Sequence, residues 1–197
     1  AMVTLRDIEV NPALNNSFDA ILPKAVANIL GVQFRHCATI GASVYSKYGF
    51  SDILPALLAL DTVVELLRSG PMSLPDFLAK PISRDVLTSI RIKKDNRRAA
   101  YQNLRNAGAD FPILNAAVSR YGTQWTIIAG ARPARAEIAV QASRFLSEMP
   151  ADPANIDKAA ATAAAELSFG SNNKASADYR RSICQVLVKR AIGEVLA

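Results

Sequence analysis

The chain has little of what disulfide scaffolds and metal-built folds depend on. Among 197 residues there are two cysteines, one histidine and one tryptophan, and aromatic residues make up only 7%. Cys37 and Cys184 lie far apart in sequence, which suits two reduced thiols rather than a stapled secreted fold. The lone histidine, His36, stands next to Cys37 with no third or fourth ligand at metal-site spacing, so the pair reads as packing or a loop contact and no metal is expected. No stretch approaches the ~18–20 consecutive apolar residues of a membrane span, and the start Ala1-Met2-Val3 lacks the basic-then-apolar build of a signal peptide. A soluble, cytoplasmic protein with no membrane partner is the expectation. Glycine and proline, with 9 and 10 residues, are at ordinary usage, which excludes collagenous and low-complexity chains.

What is present is a core-forming composition: 50% hydrophobic residues and 20% charged, in a length that fits one large domain or two small ones. The net charge is +6, and the densest basic run is Lys93-Lys94-Asp95-Asn96-Arg97-Arg98. That run carries no interleaved aromatics and no nucleic-acid motif accompanies it, so nucleic acid is not an expected partner.

The pattern along the chain predicts an α+β fold. Apolar residues from Phe18 to Gln33 recur at helical spacing behind Ser17 or Asp19, and the small, hydroxyl-rich stretch Phe34–Asp52 reads as loop. Ser51 or Asp52 then caps a helix with Pro55 in its first turn, ending by Asp61. Residues 62–67 and 86–92 read as strands, with 72–74 pairing back and one helical turn at 75–78. The basic run 93–98 reads as a linker, so the chain divides into 1–92 and 93–197. Beyond it, 99–105, 113–121 and 124–129 predict a three-stranded antiparallel meander, the last two strands joined across Gly122-Thr123. Helices follow from Pro133 to about Ser147, through the alanine-rich stretch to Leu167, and from Ser176 to the end.

Chemistry-bearing groups are sparse. Asp76, Asp85, Asp110 and Asp178 are isolated carboxylates at caps or turns, and no catalytic triad is visible. In the loop Ala38-Thr39-Ile40-Gly41-Ala42-Ser43, small residues with hydroxyls on each side can bring backbone N–H groups close to a phosphate. The same six residues equally describe a plain turn before a packed helix.

Longer motifs add to this. The run Gln33-Phe34-Arg35-His36-Cys37-Ala38-Thr39-Ile40-Gly41-Ala42-Ser43, with Ser51-Asp52-Ile53-Leu54-Pro55-Ala56-Leu57-Leu58-Ala59-Leu60-Asp61 after it, resembles the FAD-binding (medium) subunit of the xanthine dehydrogenase and carbon monoxide dehydrogenase family of molybdenum hydroxylases. That family reads Q-I-R-N-R-A-T-I-G-G-N and S-D-L-L-P-A-L-L-A-L-D in these places. Further matching segments are 73–78, Leu87-Thr88-Ser89-Ile90, Tyr101 with Arg105, 176–181 and 186–191. The resemblance runs in order from about residue 21 to the end.

It implies an FAD-binding component that passes electrons between iron–sulfur clusters and a final acceptor, beside a molybdopterin-binding large subunit and an iron–sulfur small subunit. By motif position, it assigns cofactor contacts to Thr39, Ile40, Gly41, Ala42, Ser43 and Asp52, and also to Thr88; none is catalytic. It implies a partial FAD-binding subdomain over 1–92 and the flavoprotein C-terminal domain, with its three-stranded sheet, over 93–197. The sequence also departs from the family. The first subdomain with its Ala-Gly-Gly phosphate loop is missing, so the resemblance is to an N-terminally shortened member, and Ala1-Met2 resembles an expression remnant. Ala42 and Ser43 replace Gly and Asn, Gln102 replaces the Lys near the flavin ring, and residues 45–50 are bulkier. These departures imply weak or absent FAD binding by the isolated chain, with self-association through an uncovered apolar face. The alternative is a non-catalytic interaction or assembly module that has lost the flavin. Tyr179 is expected to pack in the core, with Arg180 and Arg181 bridging the two halves or meeting an acidic partner. A fragment starting near Ala99 is expected to fold on its own.

Overall fold

The computed structural model describes residues 1–81 and 84–197. Its first half opens with six short helices. Thr4 caps α1 (Leu5–Val10): its hydroxyl accepts from the Asp7 N–H while the Asp7 carboxylate accepts from the Thr4 N–H, a reciprocal capping box. Next come α2 (Pro12–Asn15), α3 (Ile21–Val26), α4 (Val32–Cys37), α5 (Ile40–Tyr45) and α6 (Ile53–Leu58).

Two expectations are corrected here. The segment 18–33 is not one helix. Phe18, Asp19 and Ala20 lie in the left-handed region, with φ of 54°, 53° and 60°. L-residues hold that conformation only where the surroundings impose it. The Asp19 carboxylate does so by accepting from the Arg98 Nε and the Ala99 N–H, each at 3.2 Å. At the other end the carbonyls of Ile29 and Leu30 accept from Nη1 of buried Arg35, whose guanidinium also grips Glu9 through Nε and Nη2. Burial pushes the Glu9 carboxyl up, but the bonds from Arg35 and Arg6 outweigh it and hold the group below its ordinary range. Nor is 34–52 all loop: it holds most of α4 and the whole of α5. Thr39 starts α5 by accepting from the Ala42 N–H at 3.2 Å.

The rest of the first half follows the pattern. Strands β1 (Thr62–Leu66), β2 (Gly70–Ser73) and β3 (Leu87–Ile92) form an antiparallel sheet in the order β2-β1-β3, with α7 (Leu74–Ala79) following β2. Asp52 is the N-cap residue of α6 but makes no side-chain capping bond; the Ser51 hydroxyl just before it accepts from the Leu54 N–H at 3.3 Å. Two of the isolated carboxylates have plain structural roles: Asp76 shares the Ser73 cap of α7, and Asp85 gathers the Arg68, Ser69 and Val86 N–H groups. Those bonds lower the Asp85 carboxyl to about 2, the one from Arg68 most of all, against the opposing effect of burial.

In the second half β4 (Arg98–Leu104), β5 (Leu114–Tyr121) and β6 (Gln124–Gly130) form the expected meander, with Gly122 at φ 60° in the tight turn. A two-residue strand, β7 (Glu137–Ile138), adds a fourth member beside β6. No helix starts at Pro133: Ala131 takes φ 55°, and buried Arg132 binds the Arg135 carbonyl and Ser168, which holds this segment in irregular and extended backbone. The helices are α8 (Val140–Glu148), α9 (Pro153–Glu166) and α10 (Ala177–Leu196).

Side chains alternate across this second sheet. Ala100, Leu114, Ala116, Val118, Trp125, Ile127 and Ala129 meet the buried faces of α8, α9 and α10. Ala99, Tyr101, Ala117 and Ile128 point the other way, into the core built by α1, α3, α6 and β1. The first half therefore covers one face of the second half's sheet, and a fragment starting at Ala99 would bare that face. Tyr179 is a correction. It is 47% exposed, whereas its neighbour Arg180 is 1% exposed and bonds only groups of the second half. Arg181 pairs with Asp178.

Both cysteines are free thiols, Cys37 exposed and Cys184 buried in α10. Burial pushes the Cys184 thiol up to about 12, against a smaller opposing effect from the Arg132 charge. A colorimetric thiol reagent at pH 8 should therefore titrate one thiol per native chain and two after denaturation. Rapid reaction of both in the native protein would contradict this burial.

Candidate functional site

A cleft of about 450 Å3 opens between α4, α5 and residues 46–53 on one side and residues 105–111 on the other. That volume lies in the lower part of the ~300–1,000 Å3 that small-ligand sites span. Its walls are largely apolar: Phe34, Tyr48, Phe50 and Phe111 line it, all partly exposed. Tyr48 and Phe50 stack with ring centroids 4.9 Å apart, and Phe50 meets Phe111 at 4.4 Å.

The polar end is one connected network. Asp52, at the start of α6, is 6% exposed. Its Oδ1 accepts from the Tyr101 hydroxyl at 2.5 Å and from Nη2 of Arg105, while Oδ2 carries no hydrogen bond among the described residues. Arg105 is tied down further, donating from Nε to Asn103 Oδ1 at 2.9 Å and from Nη1 to the Asp110 carbonyl at 2.5 Å. Lys174 closes the series through Asp110 Oδ1 at 2.5 Å. Burial above all, then the Asp52 charge, pushes the Tyr101 phenol well above its ordinary range, so it stays a hydrogen-bond donor. The hydrogen bond from Lys174, then that from the Phe111 N–H, holds the Asp110 carboxyl below its ordinary range against some burial. Asp52 thus offers the cleft a single open carboxylate oxygen, a fixed acceptor.

The residues picked out by sequence divide into two groups. Ala42, Ser43 and Asp52 line the cleft. Thr39, Ile40, Gly41 and Thr88 gather instead around the first residues of the chain. The Ile40 N–H donates to the Val3 carbonyl at 3.0 Å and the Gly41 N–H to the Ala1 carbonyl at 2.9 Å. The Ala42 N–H goes to the Thr39 hydroxyl, and the Ser43 N–H and hydroxyl both go to the Thr39 carbonyl. A Cβ at Gly41 would stand 2.7 Å from the Ala1 carbonyl oxygen, so this glycine serves close backbone approach. The Thr88 hydroxyl donates to the Glu65 carbonyl, and its own carbonyl lies 3.1 Å from the Ala1 nitrogen. Gln102 turns away from the cleft and bonds Glu194 at 2.8 Å. Sequence reading missed Lys174 and the joining of Asp110 to Arg105: these contacts span up to 64 positions and leave no local pattern. Among the described residues no three His, Cys, Asp or Glu side chains converge as a metal site. None of the described helices is long and apolar enough to cross a membrane.

The groups present fit part of an FAD molecule. The aromatic walls suit a planar ring and the open Asp52 oxygen suits a sugar or ribityl hydroxyl. The N–H groups of residues 40–43 are already engaged, so the pyrophosphate would need donors from elsewhere.

The fold is a two-sheet α+β architecture with an apolar cleft at its polar network, and comparison with known proteins gives its family. Residues 1–93 match the FAD binding domain in molybdopterin dehydrogenase, and residues 99–195 match the CO dehydrogenase flavoprotein C-terminal domain. The chain belongs to the family of FAD-binding subunits of the molybdenum hydroxylases. Among curated relatives, the uncharacterized protein YgfM of Escherichia coli K12 is 32% identical over 102 residues, covering 50% of this chain and 39% of that protein. The match thus spans about two fifths of that relative's length. Solved structures share the fold. Carbon monoxide dehydrogenase from Hydrogenophaga pseudoflava superposes with a TM-score of 0.90 at 20% identity, over 100% of this chain and 73% of that one. Reconstituted CO dehydrogenase from Oligotropha carboxidovorans gives 0.88 at 23%, over 98% and 72%. Quinoline 2-oxidoreductase from Pseudomonas putida 86 gives 0.87 at 22%, over 99% and 73%.

Proposed function

We propose that this chain is the FAD-binding electron-transfer component of a molybdenum hydroxylase-type oxidoreductase and carries only part of the FAD site. The observation that supports this most is the cleft in which Asp52, held by Tyr101 and Arg105, presents one free oxygen beside aromatic walls. FAD, when bound, supplies the redox chemistry itself. The chain's share is to accept a hydroxyl at Asp52 Oδ2, to flank a ring with Tyr48, Phe50 and Phe111, and to keep water from that surface. Residues 1–92 form the partial FAD-binding subdomain on this reading, and 93–197 the flavoprotein C-terminal domain. A molybdopterin-binding large subunit and an iron–sulfur small subunit are the proposed partners, and the cytoplasm the proposed location.

One observation favours the second reading, an assembly module without flavin: every N–H of residues 40–43 is spent inside the chain. The two are separated by equilibrium dialysis of the purified chain against FAD. Weak, saturable binding that Asp52→Asn lowers about tenfold, the scale of one hydrogen bond to a charged group, supports the first. No binding at millimolar FAD, with co-purification of the two partner subunits, establishes the second.

A further inference from the structure

The first half contributes the cleft carboxylate, but the second half's sheet sets where it points. We propose that Tyr101 is a positioning residue for Asp52, with Asn115 fixing the backbone immediately before it; this rests on the reading of Asp52 as a ligand contact.

Tyr101 sits in β4 on the sheet face that packs against α6, 5% exposed, and it spends its hydroxyl on Asp52 Oδ1 at 2.5 Å. Arg105, at the end of the same strand, takes that same oxygen. Two donors on one oxygen turn the carboxylate so that the other faces the cleft, and neither donor competes with a ligand there. Asn115, fully buried in β5, donates from Nδ2 to the Ser51 carbonyl at 3.1 Å, which fixes the peptide joining Ser51 to Asp52. Its Oδ1 has no hydrogen-bond partner among the described residues, an arrangement with a cost of its own that the surroundings tolerate. The strand beside it makes room for the side chain: a Cβ at Gly130 would lie 2.5 Å from Asn115 Oδ1 and 2.9 Å from the Pro55 ring of α6. Glycine at 130 therefore lets β5 and β6 close on the start of α6. Tyr101, Asn115 and Gly130 together clamp the Ser51–Asp52 corner from three adjacent strands.

The consequence is that a hydroxyl removed one layer behind the cleft should disturb recognition in it. The test uses the full chain with Tyr101→Phe, which keeps the ring and its packing, Asn115→Ala, and Asp52→Asn as reference. Two readouts are taken: the FAD dissociation constant, and the rate at which a water-soluble carbodiimide labels Asp52, mapped by mass spectrometry in the absence of any cofactor. Tyr101→Phe should raise the labelling rate severalfold, since one of the two donors shielding the carboxylate is gone. It should also weaken FAD about tenfold, and the double variant with Asp52→Asn should bind no more weakly than Asp52→Asn alone. Asn115→Ala should raise labelling in the same direction. Unchanged labelling in both variants overturns the proposal, whatever FAD does. Raised labelling with FAD affinity untouched by Asp52→Asn upholds the positioning role and instead defeats the reading of Asp52 as a flavin contact. A lowered melting temperature with both readouts unchanged reduces Tyr101 to packing.

Discussion

Arg180→Met should destabilise the protein by about 3–5 kcal/mol, because several buried neutral acceptors lose a charged donor at once. The side chain is 1% exposed and all three of its nitrogens donate: Nε to the Ile113 carbonyl at 2.9 Å, Nη1 to the Gly170 and Ala175 carbonyls at 2.7 Å each, and Nη2 to Asn172 Oδ1 at 2.6 Å. None of these bonds goes to a carboxylate. Burial alone pulls the guanidinium down from its ordinary value, yet arginine stays charged at any ordinary pH, so carbonyl dipoles carry the whole burden of solvating it. Methionine fills similar volume but leaves those acceptors without donors, each at a cost of about 1–3 kcal/mol less whatever water recovers. For a chain of this size the loss corresponds to a melting temperature lower by on the order of 10 °C. Lysine should rescue little, because one ammonium cannot span the fork of acceptors. Tyr179→Ala, next door and half-exposed, should cost no more than about 0.5 kcal/mol, as surface substitutions do. Urea unfolding of both variants checks this. An Arg180→Met protein as stable as its parent, or a Tyr179→Ala protein less stable than Arg180→Met, would refute the assignment.

The same pair shows why some of the fold was legible in sequence and some was not. The buried stripe of α10 is Arg180, Cys184, Leu187, Val188, Ala191, Ile192 and Val195, a regular helical spacing. The apolar spacing Tyr179, Ile183, Val186, Leu187 and Ile192 meets the buried stripe at Leu187 and Ile192 but runs one position out of phase at its start. Arginine is so seldom buried that composition argues against the true register. The strands β4 to β6 were legible because each buries two faces and is long enough to show it. The six-residue helices α1, α4 and α5 fall below the window in which a helical period can be recognised, whereas α6, equally short, was marked by its Ser51-Asp52 start and Pro55. Their ends are set by distant groups: Asp19 answers Arg98, and Arg35 takes the carbonyls of Ile29 and Leu30. Asp52, which lines the cleft, was singled out through its motif. The motif could not reveal that Ile40 and Gly41 spend their N–H groups on the opening residues, nor that Arg105 and Tyr101 converge on one carboxylate oxygen from about fifty positions away.

That convergence sets the second large expectation. Asp52→Ala should cost about 3–5 kcal/mol, since it leaves the Arg105 charge, with its side chain 7% exposed, and the buried Tyr101 hydroxyl facing an empty site. Arg105→Ala should cost a similar amount, because it strips a donor from Asp52 and frees the Asp110 carbonyl and Asn103 as well. The two losses should not add. Once Asp52 is gone the guanidinium has no buried anion to neutralise, and removing it then relieves an unpaired buried charge. The double variant should therefore be less destabilised than the sum of the singles by roughly 1–3 kcal/mol, the coupling typical of groups in one network. Asp52→Asn should be milder than Asp52→Ala, because the amide keeps an acceptor for Tyr101, which is why it is the variant suited to binding measurements. Denaturant unfolding of the four proteins at constant ionic strength measures the cycle. Strict additivity would mean that Asp52 and Arg105 act independently in solution, and the polar end of the cleft would then lack the fixed oxygen that the proposed FAD contact requires.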